Sequence, residues 1–247
     1  DSNSEGTTTG TGFAISNDGL FATCAHVVST ATQIQVIANN QPAIATIIAI
    51  DWEKDLAILK TDTLKLKPLQ LAISHETPLA QDIIVVGFPL TEELGTGVKV
   101  TTGTVSGTVS KGLRGDLMSL DALINPGNSG GPVFNQQGEV IGLVNMKHVN
   151  SGSVDSVGFA SPIKQLKDLI EYQKLTPSGV QATPIKSGRA RAEIAADVTP
   201  SVVMVRAQGR AVGNVERISF RNTYKQSFGP LGTEPNMNTT GIVRVTP

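Results

Sequence analysis

Short apolar segments separated by turn residues fill the first quarter of the chain. Asn17-Asp18-Gly19 and Asn39-Asn40 are turn signals, because asparagine, aspartate and glycine tolerate the backbone angles of tight turns. Runs of roughly four to eight apolar and β-branched residues between such signals are typical of strands. The pattern therefore predicts strands at Gly12–Ser16, Leu20–Ala25, Gln33–Ala38, Ala43–Ile50 and Leu56–Thr61.

A second group of apolar segments follows a polar stretch, Leu64–Pro78. These segments are as short and as regularly spaced as the first group, which indicates a sandwich or a barrel. We therefore expect an all-β protein. The predicted strands of this group are Ile83–Phe88, Val98–Ser106, Leu117–Ala122, Gly131–Asn135, Val140–Asn145 and Val157–Ala160.

One helix is predicted after the second group, over about 162–175. Ser161 suits an N-cap and Pro162 suits a first helical turn. The apolar residues that follow recur at the spacing of one helix face. They are Ile163, Leu166, Leu169 and Ile170.

Composition excludes several classes of function. The net charge is −1 and aromatic residues make up 4% of the chain, which argues against a binder of nucleic acid. Cys24 is the only cysteine, so no disulfide can form within the chain. Three histidines without ligand-like spacing make a metal site improbable. No apolar run approaches the ~20 residues of a membrane helix, so we expect no transmembrane segment.

The most specific chemical signal is the stretch Asn125-Pro126-Gly127-Asn128-Ser129-Gly130-Gly131-Pro132. A serine hydroxyl needs a base to take its proton, and N–H donors to hold the oxyanion that forms when it attacks a carbonyl. Glycines on both sides allow a turn that points successive amides at one place. We therefore expect this stretch to supply a nucleophile, Ser129, and its oxyanion hole.

The partners of such a serine lie upstream. His26 ends an apolar run, where it can act as the general base, and Asp55 directly precedes another apolar run. Asp51, four residues earlier, is the main competitor of Asp55 for the role of orienting the histidine. Cys24 lies two residues from His26, and we interpret it as a small buried thiol rather than a nucleophile.

The chain order His26, Asp55, Ser129 resembles that of the chymotrypsin-like serine peptidases, and more narrowly the HtrA/Deg branch. The likeness runs from about Gly10 to Leu169. Besides the segments around His26 and Ser129, it is carried by Gly10-Thr11-Gly12-Phe13, Asp55-Leu56-Ala57, Thr102-Gly103-Thr104-Val105-Ser106, Asp121-Ala122-Leu123-Ile124 and Gly158-Phe159-Ala160.

The resemblance implies a fold of two packed six-stranded antiparallel β-barrels, with a helix after the second. It places a protease domain at 1–180, with barrel one at about 10–62 and barrel two at about 82–160. A tail, 181–247, follows. It lacks a convincing PDZ domain, which HtrA/Deg proteins often carry at this place.

The resemblance also implies roles for site residues. The family's oxyanion hole matches Gly127, Asn128 and Ser129, and its pocket for the P1 side chain has its base at Leu123. A buried apolar base rejects lysine and arginine, because burying an unpaired charge is costly. The implied pocket walls are Val144, Asn145, Met146, Gly158, Phe159 and Ala160.

The tail prompts a structural hypothesis. The family's first strand normally precedes the segment that matches Gly10-Thr11-Gly12-Phe13, but here that place holds the polar residues 1–9. Val198–Val205 resembles the usual start of an HtrA/Deg domain. We therefore hypothesise that Ser201–Arg206 pairs beside Gly12–Ser16 and closes barrel one, in its own molecule or in a neighbouring one. The alternative is that this strand packs outside the barrel or begins a further module.

The resemblance implies a serine endopeptidase that acts on polypeptide substrates, needs no cofactor and prefers small or medium aliphatic P1 residues. The alternative is a catalytically quiet peptide-binding or self-processing protein on a protease fold. We expect an exported protein, periplasmic or secreted. The chain as given contains no signal peptide, and its polar start is compatible with the removal of one. A homo-oligomer is a further expectation.

Overall fold

Strands dominate the computed structural model, which describes residues 5–29, 31–73, 77–89, 91, 95–110, 116–145, 158–179, 189–210 and 242–244. The short apolar segments of the sequence are buried in it almost without exception. The strands are β1 (Glu5–Ala14), β2 (Leu20–Cys24), β3 (Gln33–Ala38), β4 (Gln41–Asp51), β5 (Leu56–Lys60), β6 (Asp82–Gly87), β7 (Lys99–Ser110), β8 (Asp116–Leu120), β9 (Pro132–Phe134), β10 (Val140–Val144), β11 (Gly158–Pro162), β12 (Val202–Arg210) and β13 (Ile242–Arg244).

Helices in the described residues are few and short. A single turn, α1 (Ala25–Val28), follows β2, and α2 (Ile163–Tyr172) follows β11. A third helix, α3 (Arg191–Val198), leads through a short 3-10 turn, Thr199–Ser201, into β12.

The strands form two closed antiparallel barrels. In barrel one, the ring runs β4, β3, β12, β1, β2, β5 and back to β4, and β13 pairs with β4 as an additional strand. In barrel two, the ring runs β10, β11, β8, β7, β6 and β9. The all-β prediction and its two six-stranded barrels are therefore confirmed.

Strand β12 lies between β1 and β3 in barrel one. Its pairing with β1 is antiparallel, with Val202 opposite Phe13, and its other edge pairs with β3. Successive side chains of a strand point to opposite faces. Val203 and Val205 belong to the buried cluster inside barrel one, whereas Val202 and Met204 belong to the cluster that continues into barrel two. Burial on both faces explains why this strand is apolar at every position from 202 to 205.

Three local features differ from the sequence predictions. Strand β1 begins at Glu5, seven residues before the predicted Gly12, because the polar segment before Gly10 pairs with the far end of β12. Helix α3 was not predicted, since Lys186–Glu193 looks like a polar linker. The salt bridge between Arg191 and Asp82, 3.0 Å, and the buried Ile194 hold this helix against barrel two.

The start of α2 also differs. Ser161 and Pro162 are the last residues of β11, and the helix begins at Ile163 without a side-chain cap. The Ser161 hydroxyl instead accepts a hydrogen bond from the Asn145 side-chain amide, at 3.3 Å. Ser161 is therefore tied to barrel two rather than to the helix.

Within the described part of the chain, none of the helices has the length and apolar character needed to cross a membrane.

The position of β12 predicts that the tail is required for barrel one. A chain ending at residue 179 would lose the ladders of β12 with β1 and β3, the ladder of β13 with β4, and the six largest buried apolar side chains of α3 and β12, each contributing about 1.5–3 kcal/mol. We expect it to be insoluble, or to melt about 10 °C or more below the full chain. A chain ending at Arg210 keeps β12 and is the matched control. Equal solubility and melting temperature of the shorter chain, measured by calorimetry, would contradict this role.

Candidate active site

Two of the three predicted catalytic side chains form a hydrogen-bonded pair. His26 lies on α1, directly after β2, and Asp55 lies directly before β5, the strand that pairs with β2. The Asp55 Oδ2 atom lies 2.6 Å from the His26 Nδ1 atom. Its Oδ1 atom accepts the backbone N–H of His26 at 2.8 Å. Asp55 is 3% exposed, so its carboxylate is shielded from water, whereas the His26 side chain is 24% exposed.

The turn that carries Asp55 is held by Asp51. Asp55 has a φ of 58°, in the left-handed region that non-glycine residues rarely adopt. The Asp51 Oδ1 atom accepts the N–H groups of Glu53 and Lys54, each at 3.0 Å. Asp51, the competitor considered from the sequence, therefore caps the turn, and Asp55 is the residue that meets the histidine.

The segment around Ser129 consists of two consecutive tight turns. The N–H of Asn128 donates to the carbonyl of Asn125 at 3.0 Å, and the N–H of Gly131 donates to the carbonyl of Asn128 at 2.8 Å. The third residues of these turns, Gly127 and Gly130, have φ values of +97° and +83°. A positive φ only at the third residue is the signature of a type II turn, which explains why glycine occupies both places.

These turns determine which amides can meet an oxyanion. In the part of the chain that the structure describes, the N–H groups of Gly127 and Ser129 make no hydrogen bond. The N–H of Asn128 is used within the first turn. Among the described residues, two of the three predicted oxyanion-hole residues therefore present a free N–H donor. The third, Asn128, uses its N–H to close the first turn.

Ser129 is seated against barrel one. The N–H of Thr11 on β1 donates to the Ser129 carbonyl at 2.8 Å. A Cβ atom at Gly130 would lie 2.9 Å from the backbone nitrogen of Cys24, so only glycine allows this close approach. The serine itself is 6% exposed. Among the described residues, its hydroxyl forms no hydrogen bond with His26, the one contact of a triad that is not made.

The loop that leads to the serine is fixed at its start by Asp121. The backbone N–H of Thr104 and its hydroxyl both donate to this carboxylate, the latter at 2.9 Å. These hydrogen bonds favour the charged form and lower the pKa of Asp121 below its ordinary value.

The predicted P1 pocket is only partly assembled. The N–H of Asn145 donates to the carbonyl of Phe159 at 2.7 Å, which joins the ends of β10 and β11, the strands that carry Val144, Gly158 and Ala160. Leu123 does not form a buried base, because its side chain is 65% exposed. Met146 lies outside the described residues.

Cys24 lies beside the histidine–aspartate pair. Potential ligand atoms of Cys24, His26 and Asp55 are all within 4.8 Å of one another. However, both Asp55 oxygens accept hydrogen bonds from His26, and the Cys24 thiol donates to the carbonyl of Val144, 3.2 Å away. These hydrogen bonds agree with the interpretation of Cys24 as a buried thiol.

The chain resembles a known family of peptidases and several named proteases. Residues 10–143 match the family described as "Trypsin-like peptidase domain", and this range includes His26, Asp55 and Ser129. A probable periplasmic serine endoprotease, DegP-like, from Halomonas elongata is 36% identical over 166 residues, which cover 66% of this chain and 34% of that protein. Protease Do-like 1, chloroplastic, from Arabidopsis thaliana is 31% identical over 194 residues, covering 72% of this chain and 43% of that protein.

A solved structure of a serine endoprotease also resembles this chain. The crystal structure of the serine endoprotease from Yersinia pestis matches with a TM-score of 0.58 and 30% identity, covering 67% of this chain and 57% of that one. The chain spans about a third of the length of the bacterial relatives that it matches. It belongs to the trypsin-like peptidase domain family and is homologous to the DegP/HtrA proteases.

Proposed function

We propose that the chain is a serine endopeptidase that works by a Ser129–His26–Asp55 triad. The observation that carries the proposal is the hydrogen-bonded Asp55–His26 pair beside a serine loop with two unused N–H donors. The family membership supports the same reaction, since the relatives are named as serine endoproteases. The missing Ser129–His26 hydrogen bond is compatible with it, because catalytic hydrogen bonds often tighten only when substrate binds.

In the first step, the Ser129 Oγ atom attacks the carbonyl carbon of the scissile peptide bond. His26 takes the hydroxyl proton on its Nε2 atom, while the Asp55 carboxylate accepts the Nδ1–H and stabilises the imidazolium that forms. The former carbonyl oxygen becomes an oxyanion. The N–H groups of Gly127 and Ser129 donate to it.

In the second step, the C–N bond breaks and His26 returns its proton to the leaving amine, which leaves an acyl ester on Ser129. A water molecule then attacks the ester while His26 takes one of its protons. The bond between the Ser129 Oγ atom and the acyl carbon breaks, His26 returns the proton to that Oγ atom, and the carboxylic acid leaves. All atoms and protons balance without a cofactor.

We also propose a preference for small or medium aliphatic P1 residues. The pocket walls near Val144 and Ala160 are apolar and buried. The position proposed for the pocket base holds Leu123 rather than an acidic residue. The exposed Leu123 fits this proposal if bound substrate covers it, because its side chain then contacts the P1 residue. A charged P1 side chain would find no partner there.

We propose that the protein is exported, because the bacterial relatives carry periplasmic in their names. Fractionation of the native host should then recover it outside the cytoplasm. Recovery with cytoplasmic markers would overturn this part of the proposal.

Ser129→Ala should abolish peptide hydrolysis and leave the fold intact. Loss of a triad residue costs about 10⁴-fold or more in related enzymes. A fluorophosphonate probe, which labels only an activated serine, should label the native chain and not the variant. Ser201→Ala, which alters another buried serine, is the control. Hydrolysis by the alanine variant would remove Ser129 from the mechanism, and a native chain that binds peptides without cleaving them would favour the quiet alternative.

Asp55→Asn and Asp51→Asn should separate the two aspartates of the turn. Asp55→Asn leaves the wrong tautomer of His26 facing Ser129, and a loss of about 10⁴-fold in kcat is expected by analogy with another protease of this fold. Asp51→Asn keeps an oxygen that can accept the N–H groups of the turn. We therefore expect kcat to change little, and any effect to be a lower melting temperature. The opposite ranking of the two kcat values would assign the triad to Asp51.

Peptide-library profiling should find cleavage after valine, alanine and similar residues, with little cleavage after lysine or arginine. Leu123→Asp should raise cleavage after basic residues, because a carboxylate would then pair with their charge. Dominant cleavage after basic residues by the native chain would show that the pocket lies elsewhere. An unchanged profile in the variant would remove Leu123 from it.

A further inference from the structure

Thr11 contacts the serine loop through both its side chain and its backbone. It is completely buried, and it lies where β1 passes under the turns that contain Gly127 and Ser129. The triad does not use it. Its hydroxyl and its backbone N–H both point at barrel two, although its own strand belongs to barrel one.

The Thr11 hydroxyl satisfies two backbone groups of barrel two. It donates to the carbonyl of Gly127 at 2.6 Å and accepts the N–H of Phe88 at 3.0 Å. Phe88 and Gly127 also touch, since a Cβ atom at Gly127 would collide with the Phe88 carbonyl oxygen. One hydroxyl therefore holds both the oxyanion-hole glycine and the segment on which that glycine rests.

The Thr11 N–H holds the other oxyanion-hole residue through the Ser129 carbonyl, at 2.8 Å. A trans peptide places its C=O and its N–H on opposite sides, so fixing a carbonyl also fixes the direction of the next N–H. The peptides that follow Gly127 and Ser129 are thus fixed at both ends, since their N–H groups donate to Asn125 and Val144.

Only the peptide between Asn128 and Ser129 remains between these two fixed planes. Its carbonyl accepts the Gly131 N–H at 2.8 Å, which turns the Ser129 N–H away from the loop. Thr11 therefore holds the carbonyl of each of the two residues that carry the oxyanion donors, and the turn hydrogen bonds hold the peptides between them.

We propose that Thr11 is a positioning residue for the oxyanion hole, an inference that rests on the proposed peptidase function. It touches neither the substrate nor the reacting atoms. It sets the spacing of the two N–H donors, and a displacement of about 1 Å at such a place can cost on the order of 100-fold in rate.

The test is a comparison of Thr11→Val with Thr11→Ser. Valine has nearly the shape of threonine but no hydroxyl, so it leaves the Gly127 carbonyl and the Phe88 N–H without their partner. We expect kcat to fall about 10-fold to 100-fold, with KM little changed, because removing an oxyanion donor outright costs about 10²–10³. Thr11→Ser keeps the hydroxyl and should restore most of kcat.

A second readout separates positioning from general loss of stability. A peptide boronate forms a tetrahedral adduct with the serine, and its oxygen occupies the oxyanion hole. Its affinity and the rate of fluorophosphonate labelling should fall in parallel with kcat in Thr11→Val. Asn135→Ala is the matched control, because it removes three partly buried hydrogen bonds in the turn that follows β9: those that its oxygen accepts from the N–H groups of Gln137 and Glu139, and the one that its amide donates to the Glu139 carboxylate. It should lower the melting temperature and leave kcat unchanged.

The outcomes are distinguishable. If the native chain hydrolyses peptides and Thr11→Val retains kcat and boronate affinity, the role of Thr11 is refuted while the proposed function stands. If the native chain neither hydrolyses peptides nor reacts with the probe, the proposed function itself fails. Should Thr11→Val not fold, the comparison of Thr11→Ala with Thr11→Ser decides, and equal kcat in these two variants overturns the proposal.

Discussion

The hydrogen bond between the Thr11 N–H and the Ser129 carbonyl joins the two barrels at the place where a reaction would occur. His26 and Asp55 belong to barrel one, whereas Ser129 and its free amides belong to a loop of barrel two. A displacement of one barrel against the other would therefore separate His26 from Ser129, the proposed base and nucleophile. The Cys24 thiol donates to the Val144 carbonyl and is a further hydrogen bond across the same boundary. The site is in this sense a property of the contact between the barrels rather than of either one.

This contact depends in turn on the closure of barrel one. Thr11 lies opposite Met204 in the ladder between β1 and β12. Strand β12 comes late in the sequence, after α3, which packs on barrel two. The segment from α3 to β12 therefore spans both barrels, and the strand that carries Thr11 is supported by residues almost two hundred positions away. Long-range pairing of this kind is stable once formed but requires a costly loop closure.

Much of the fold could be predicted from the period and spacing of apolar residues. The predicted Gln33–Ala38 coincides with β3, and most other strands differ by one to three residues at their ends. The start of β1 could not be predicted in this way, because its polar residues are in a strand only through their pairing with β12. The same holds for α3, whose salt bridge to Asp82 is a tertiary contact.

At the site, residue types and order predict Ser129, His26 and Asp55 as candidates, but they give no indication that Thr11 contacts the serine loop. The nearest signal was the Gly-Thr-Gly motif at 10–12, which the sequence offers only as part of a family resemblance. The exposure of Leu123 could not be predicted, for a related reason. A position six residues before the serine says nothing about whether the loop around it folds over the side chain, and here the side chain is exposed.

Asp55 shows why local rules fail at such a place. Its left-handed backbone costs of order 1–3 kcal/mol for a residue with a Cβ atom, and propensity alone would favour asparagine or glycine there. Glycine has no side chain to reach His26, and a neutral amide cannot stabilise an imidazolium. The two hydrogen bonds from His26 and the Asp51 cap on the turn offset the strain. The unfavourable conformation is therefore tolerated at the one residue of the turn whose charge the proposed chemistry requires.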